Sequence, residues 1–235
     1  MYYPFGFSPY FDRTYLLVLI GIVLTSSASL YIRMTYQKYN RIYNRRRLTG
    51  EDAARSVMQS GGIHLPIHPV AGELTDHYDP KQKAVFLSGG AGQNTSIAAV
   101  SIAAHECGHA LQDAQRYFPL VLRHRLVPIC NLCSTIAWPV ILLGIILSMN
   151  PLLIHLGIYL FAGALLFQVV TLPVEFDASI RAIRVLRDRQ LLDEDELRGA
   201  KSVLRAAALT YVAGTAATAL QLLRLVLLFG NRNRD

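Results

Sequence analysis

Four stretches of this 235-residue chain are long, apolar and almost free of charge, and no other feature limits its fold as strongly. Residues 15–31, 126–149 and 152–174 carry no Lys, Arg, Asp or Glu, and residues 206–229 carry only Arg224. A hydrocarbon layer of about 30 Å is crossed by roughly 20 apolar helical residues, so each stretch is long enough to span. Asn150-Pro151 between the second and third is a turn signal, and the two stretches read as a helical hairpin. The expected division is transmembrane helices at 14–32, 127–149 and 151–174, a polar region at 33–126, a polar helical segment at 175–205, and an apolar helix at 206–229 that also spans.

The chain carries 23 Lys and Arg against 16 Asp and Glu, yet this excess does not point to nucleic acid. Arg33, Lys38, Arg41, Arg45, Arg46 and Arg47 follow the first apolar stretch with no acidic residue among them. That placement reads as an orientation signal that also meets anionic lipid headgroups, and no nucleic-acid motif accompanies it. A signal peptide carries its positive charge before the apolar stretch. Here the charge follows, so the first stretch reads as a retained span with the N-terminus outside and the next loop in the cytoplasm. A spanning fourth stretch would leave Arg232 and Arg234 outside, against the positive-inside rule. Cys107, Cys130 and Cys133 make no disulfide framework, and Cys130-x-x-Cys133, in an apolar run with no second pair, reads as two buried thiols.

Within the polar region, residues 51–58 suggest a short helix closed by Gly61-Gly62. A turn-rich stretch follows, then AVFLS at 84–88, which reads as a short strand ended by Gly89-Gly90-Ala91-Gly92. Thr95 or Ser96 is suited to cap a helix that runs to about Gln115.

That helix carries His105-Glu106-Cys107-Gly108-His109, an HExxH sequence. Residues four apart lie one turn apart on the same helical face, so two imidazoles can close on one ion. Glu106 is rotated about 100° from His105, where it can reach a water at the metal without becoming a ligand. This is the pattern of a zinc site whose glutamate serves as general base. Three protein ligands and a water are usual in catalytic zinc sites. Two spans separate the HExxH helix from Leu172-Pro173-Val174-Glu175-Phe176-Asp177-Ala178-Ser179, so the chain returns to the same side there. Glu175 is the first candidate for the third ligand and Asp177 the second. Asp113, four residues past His109, reads as a supporting or surface group. His77 and His124 are weaker ligand candidates.

The segments Leu74-Thr75-Asp76-His77-Tyr78-Asp79-Pro80, Ser101–Gln112 and Leu172–Ser179 together resemble the YugP-type membrane zinc metallopeptidases of bacteria, over nearly the whole chain. The resemblance implies a neutral zinc metallopeptidase of the cell membrane, multi-pass, with its active site on the cytoplasmic side. It extends distantly to the HtpX-type and CAAX prenyl proteases. Those carry HExxH, intervening membrane helices and a glutamate ligand followed four residues later by an aspartate. By that likeness His105, His109 and Glu175 hold one Zn2+ per chain and Glu106 is catalytic. Ser179 stands where those relatives have the aspartate that supports a histidine ligand, so Ser179, Asp177 or Asp113 would take that part.

The expected fold is mainly α: a multi-span helical membrane protein with a small α+β, zincin-like cytoplasmic part carrying HExxH on a helix. The expected partners are membrane lipid and a protein or peptide substrate laid extended along 84–88, taken as an edge strand. Tyr211, His124 and Arg123 are candidates for stabilising an oxyanion. The rival reading is a zinc-binding membrane protein without peptidase activity; the intact Glu106 counts against it.

Overall fold

The computed structural model describes residues 12–230; the expectation for Arg232 and Arg234 falls outside them. The helices are α1 (Tyr15–Asn40), α2 (Gly50–Ser60), the single turn α3 (Gly89–Gly92), α4 (Ile97–Ala114), α5 (Phe118–Ile146), α6 (Pro151–Asp188) and α7 (Glu194–Phe229). The strands are β1 (Ile67–Val70), β2 (His77–Asp79) and β3 (Ala84–Ser88). Among the described residues, α1, α5, α6 and α7 are the four helices long and apolar enough to cross a membrane. They reach further than the apolar stretches: α1 continues to Asn40, α5 begins at Phe118, and α6 runs through Glu175 to Asp188. Polar residues continue a helix readily when one face stays buried, as Ala178, Ala182 and Leu186 are.

The chain divides into two compact units. The first comprises the described parts of residues 1–28, 125–169 and 211–235. Its α5–α6 turn follows from Asn150, whose Oδ1 accepts the Leu152 and Leu153 N–H groups, with Pro151 in the first helical position where a missing donor is harmless. Ser148 and Met149 hold left-handed φ values of 55° and 61° to complete the reversal. Ile141, Ile154, Ile158 and Leu225 form its core. Leu16, Ile129, Leu132, Ile146, Leu152 and Tyr159 point outward, a face that suits acyl chains rather than water. Arg224, the lone charge in the fourth apolar stretch, lies 4.3 Å from the Tyr15 ring centre and donates to Thr14 Oγ1.

The second unit comprises Ser29–His124 and Val170–Thr210. Its core gathers Ala53, Ala54 and Val57 of α2, Val85 and Leu87 of β3, Ala103, Ala104 and Cys107 of α4, and Leu186, Leu197 and Leu204. Cys107 is a buried free thiol; of the two expected to be buried, Cys130 is and Cys133 is only partly so. Thr49 and Asp52 form a reciprocal capping box at the start of α2. Of the basic cluster, Arg45 is already engaged, its guanidinium paired with Asp193 and Asp195 and its N–H donated to Glu196.

The sheet order is β1-β3-β2. β1 runs parallel to β3, with Ile67 opposite Val85, and β2 runs antiparallel, with Tyr78 opposite Val85. This corrects the expectation that residues 84–88 form an edge strand: β3 is central, with β1 on one side and β2 on the other, so it is not an open edge for a substrate. Asp79 folds β2 back onto β3 by accepting the Lys81 and Gln82 N–H groups. Pro69 is tolerated in β1 because that strand is an edge.

Candidate metal centre

Helix α4 positions two of the candidate ligands. Ser96 caps it by accepting the Ala99 N–H at 3.1 Å, and the following Ala-rich turns pack closely in the core. His105 and His109 then project from one face, their ring centres 4.8 Å apart. Helix α6 brings the third. Its backbone touches α4 at Gly108, where an added Cβ would lie 2.5 Å from the Ala178 carbonyl oxygen. That crossing sets the turn from Glu175 to Ser179 against the HExxH turn. Glu175 Oε2 lies 3.4 Å from His105 Nε2 and 3.6 Å from His109 Nε2. One ligand atom from each of the three lies within 4.8 Å of the others, a grouping that could hold a metal ion.

The hydrogen bonds fix which ring nitrogens face inward. Ser179 Oγ gives its one proton to the Glu175 carbonyl at 3.0 Å and so can only accept from His105 Nδ1, 3.1 Å away. Gln112 donates both protons of its amide, to the Val174 carbonyl and Asp177 Oδ2, each at 2.8 Å. Its Oε1 therefore faces His109 Nδ1 at 3.0 Å as an acceptor. With Nδ1 of each ring engaged in this way, the Nε2 atoms of both histidines face the Glu175 carboxylate. When neither Nε2 carries a proton, three electron-rich atoms converge there, and they repel one another unless a cation lies among them. Burial works against a charge on His109, but the hydrogen bond to Glu175 and the Glu106 and Glu175 carboxylates outweigh it and raise its pKa. The site draws positive charge, and two imidazoles with one carboxylate are a donor set that suits zinc.

Glu106 stands beside this set and is held by the Tyr78 backbone N–H, which donates to Oε2 at 3.1 Å. Burial pushes its carboxyl pKa up, against the pull of His105 and His109. Arg123, from the start of α5, places Nη1 3.0 Å from Glu175 Oε1.

The remaining predicted residues divide. Ser179 touches His105 directly. Asp177 reaches His109 only through Gln112 and is itself gripped by Arg181. Asp113 binds the Tyr78 hydroxyl and Lys83 rather than a histidine, and so anchors the strand whose N–H holds Glu106. Burial would raise the Asp113 pKa, but the bonds from Lys83 and Tyr78 lower it. His77 stacks on Phe86 in the sheet. Tyr211, in α7, belongs to the other compact unit. Gln112 was not singled out from sequence, although it lies three residues past His109 on the same helical face, a spacing that could have pointed to it.

A family model described as "Putative neutral zinc metallopeptidase" matches residues 14–230. The chain belongs to that family. A curated relative, "Putative membrane protease YugP" of Bacillus subtilis (strain 168), is 41% identical over 216 residues, covering 92% of this chain and 96% of the relative. No solved structure matches. For a member of the neutral zinc metallopeptidase family, with four helices fit to cross a membrane among its described residues, zinc is the metal that the family description implies.

Proposed function

We propose that this protein is a membrane-embedded zinc metallopeptidase that hydrolyses peptide bonds, with Glu106 as general base and then general acid. The observation that carries the reading is the convergence of His105 Nε2, His109 Nε2 and Glu175 Oε2 beside the half-buried Glu106 carboxylate. His105, His109 and Glu175 would hold one Zn2+ per chain. Zinc bound there supplies Lewis-acid polarisation of a carbonyl and acidifies a water. Glu106 accepts the proton of the attacking water and returns it to the leaving amine. Its raised pKa serves that exchange, because a base works best when its pKa lies nearer the working pH.

The substrate strand in this reading adds to the outer edge of β2, not to β3. The Tyr78 N–H points away from β3 toward Glu106, and in an antiparallel ladder a residue's N–H and C=O face the same side. Tyr78 therefore turns both groups toward an extended peptide next to the base, its N–H being the one that Glu106 accepts. The basic cluster after α1 supports a cell-membrane location with the centre on the cytoplasmic side.

The test is Glu106→Gln in detergent-purified protein. Zinc content near one per chain with hydrolysis lost supports the reading; retained hydrolysis rejects the role of Glu106. Glu175→Ala should shed the metal, and unchanged zinc content would remove Glu175 from the ligand set.

A further inference from the structure

The two oxygens of Glu175 have different neighbours. Oε2 faces the two imidazole Nε2 atoms at 3.4 and 3.6 Å, whereas Oε1 lies 3.0 Å from the Arg123 guanidinium. The Glu175 side chain is only 5% exposed, so little water can take the place of that guanidinium. A carboxylate can ligate a cation through one oxygen or through both. We infer that Arg123 is a positioning residue that occupies Glu175 Oε1 and restricts this carboxylate to ligation through one oxygen. The place that a second oxygen would take is thereby kept for water or a substrate carbonyl.

The chemistry favours this assignment over a plain surface ion pair. A charge-assisted bond from a guanidinium is among the stronger hydrogen bonds, and here its acceptor is buried. Removing one partner of a buried pair leaves the other uncompensated. Without Arg123, Oε1 is free to turn onto the metal itself. The guanidinium cannot deprotonate, so the restraint holds across the working pH range. The other contacts at the centre act elsewhere: Ser179 and Gln112 fix the imidazoles, and the Tyr78 N–H holds Glu106. Arg123 is the partner that discriminates between the two oxygens of the carboxylate.

This inference rests on the metal-centre reading, and the experiment separates the two. The full chain in detergent is loaded with Co2+ in place of zinc, alongside Arg123→Met and Arg123→Lys. The wild type should give the intense visible bands of a four-coordinate ion, and X-ray absorption should count one carboxylate oxygen. Arg123→Met should show bands weakened several-fold, as for a five-coordinate ion, and roughly 10-fold weaker Co2+ binding. Arg123→Lys, which restores a cation, should recover most of the wild-type spectrum. Identical spectra and affinities in the wild type and Arg123→Met overturn the inference, even if the variant hydrolyses peptides slowly. Two carboxylate oxygens in the wild type overturn it as well, a result that needs no variant to fold. A wild type that takes up neither Co2+ nor Zn2+ overturns the metal-centre reading beneath it.

Discussion

Gly108→Ala should damage the metal centre far more than it damages the fold. The added Cβ would sit 2.5 Å from the Ala178 carbonyl oxygen and 3.1 Å from the Ala178 C and Cα, whereas ordinary contact begins near 3.4 Å. Helices α4 and α6 must therefore part by about 0.9 Å along that contact. Both sides are helix backbone, so no rotamer change can absorb the clash. Overpacking of this kind costs about 1–3 kcal/mol. Replacing a helical Gly by Ala returns about 1 kcal/mol, so the net loss of stability should be about 0–2 kcal/mol. Ala178 lies next to Ser179 and less than a turn past Glu175, so the same displacement is passed to the ligand set. The 3.1 Å contact between Ser179 Oγ and His105 Nδ1 would open beyond hydrogen-bonding range. A misplacement of about 1 Å can cost roughly 100-fold in rate. The assay is threefold: a thermal melt in detergent, zinc affinity by competition with a chelator, and hydrolysis of a fluorogenic peptide library. The expected outcome is a modest fall in Tm, zinc binding weaker by about 10-fold and hydrolysis slower by about 100-fold. A folded Gly108→Ala protein with wild-type zinc affinity and rate would refute the claim that this close crossing sets the ligand geometry.

Gln112→Ala should weaken zinc binding by about 10–100-fold, because His109 Nδ1 loses the acceptor that fixes its ring; chelator competition measures it, and an unchanged affinity would exclude the role. Thr49→Ala removes half of a capping box and should lower stability by about 1 kcal/mol without changing metal content, read from paired melts and metal analysis. The depressed pKa of Asp113 means that its bonds to Lys83 and Tyr78 stabilise the fold above the unfolded carboxylate pKa of about 4, with that contribution lost as pH falls through the lower folded value. Asp113→Asn should therefore flatten the fall in Tm on acidification below about pH 5, and a variant that acidifies like the wild type would remove Asp113 from that account.

The readable parts of this protein are those that depend on local spacing. A four-residue interval between His105 and His109 means one helical face wherever it occurs, and uncharged stretches of bilayer length mark spans without any tertiary knowledge. Asn150-Pro151 gave its turn for the same reason, since the cap and the missing donor are local properties. The sheet was less legible. His77–Asp79 is three residues long, too short to show alternation, and Pro69 hides β1 in a turn-rich stretch. Without either partner in view, β3 reads as an edge strand. The end of α6 was masked differently: the change from apolar to charged residues at Glu175 resembles a boundary, yet buried Ala178, Ala182 and Leu186 keep the helix going. The bond between Arg123 and Glu175 joins residues 52 positions apart and follows no period, so sequence offers no register for it.

Tyr78 has a single backbone N–H, and Glu106 already holds it. A peptide carbonyl that pairs with that group must displace the carboxylate, because one proton serves only one strong acceptor at a time. Seating a chain on the outer rim of β2 and restraining the base are thus competing uses of the same atom. In the proposed mode of substrate binding, a ligand that pairs with the Tyr78 N–H frees Glu106 as it docks, whereas one that bypasses Tyr78 meets the carboxylate still tied down.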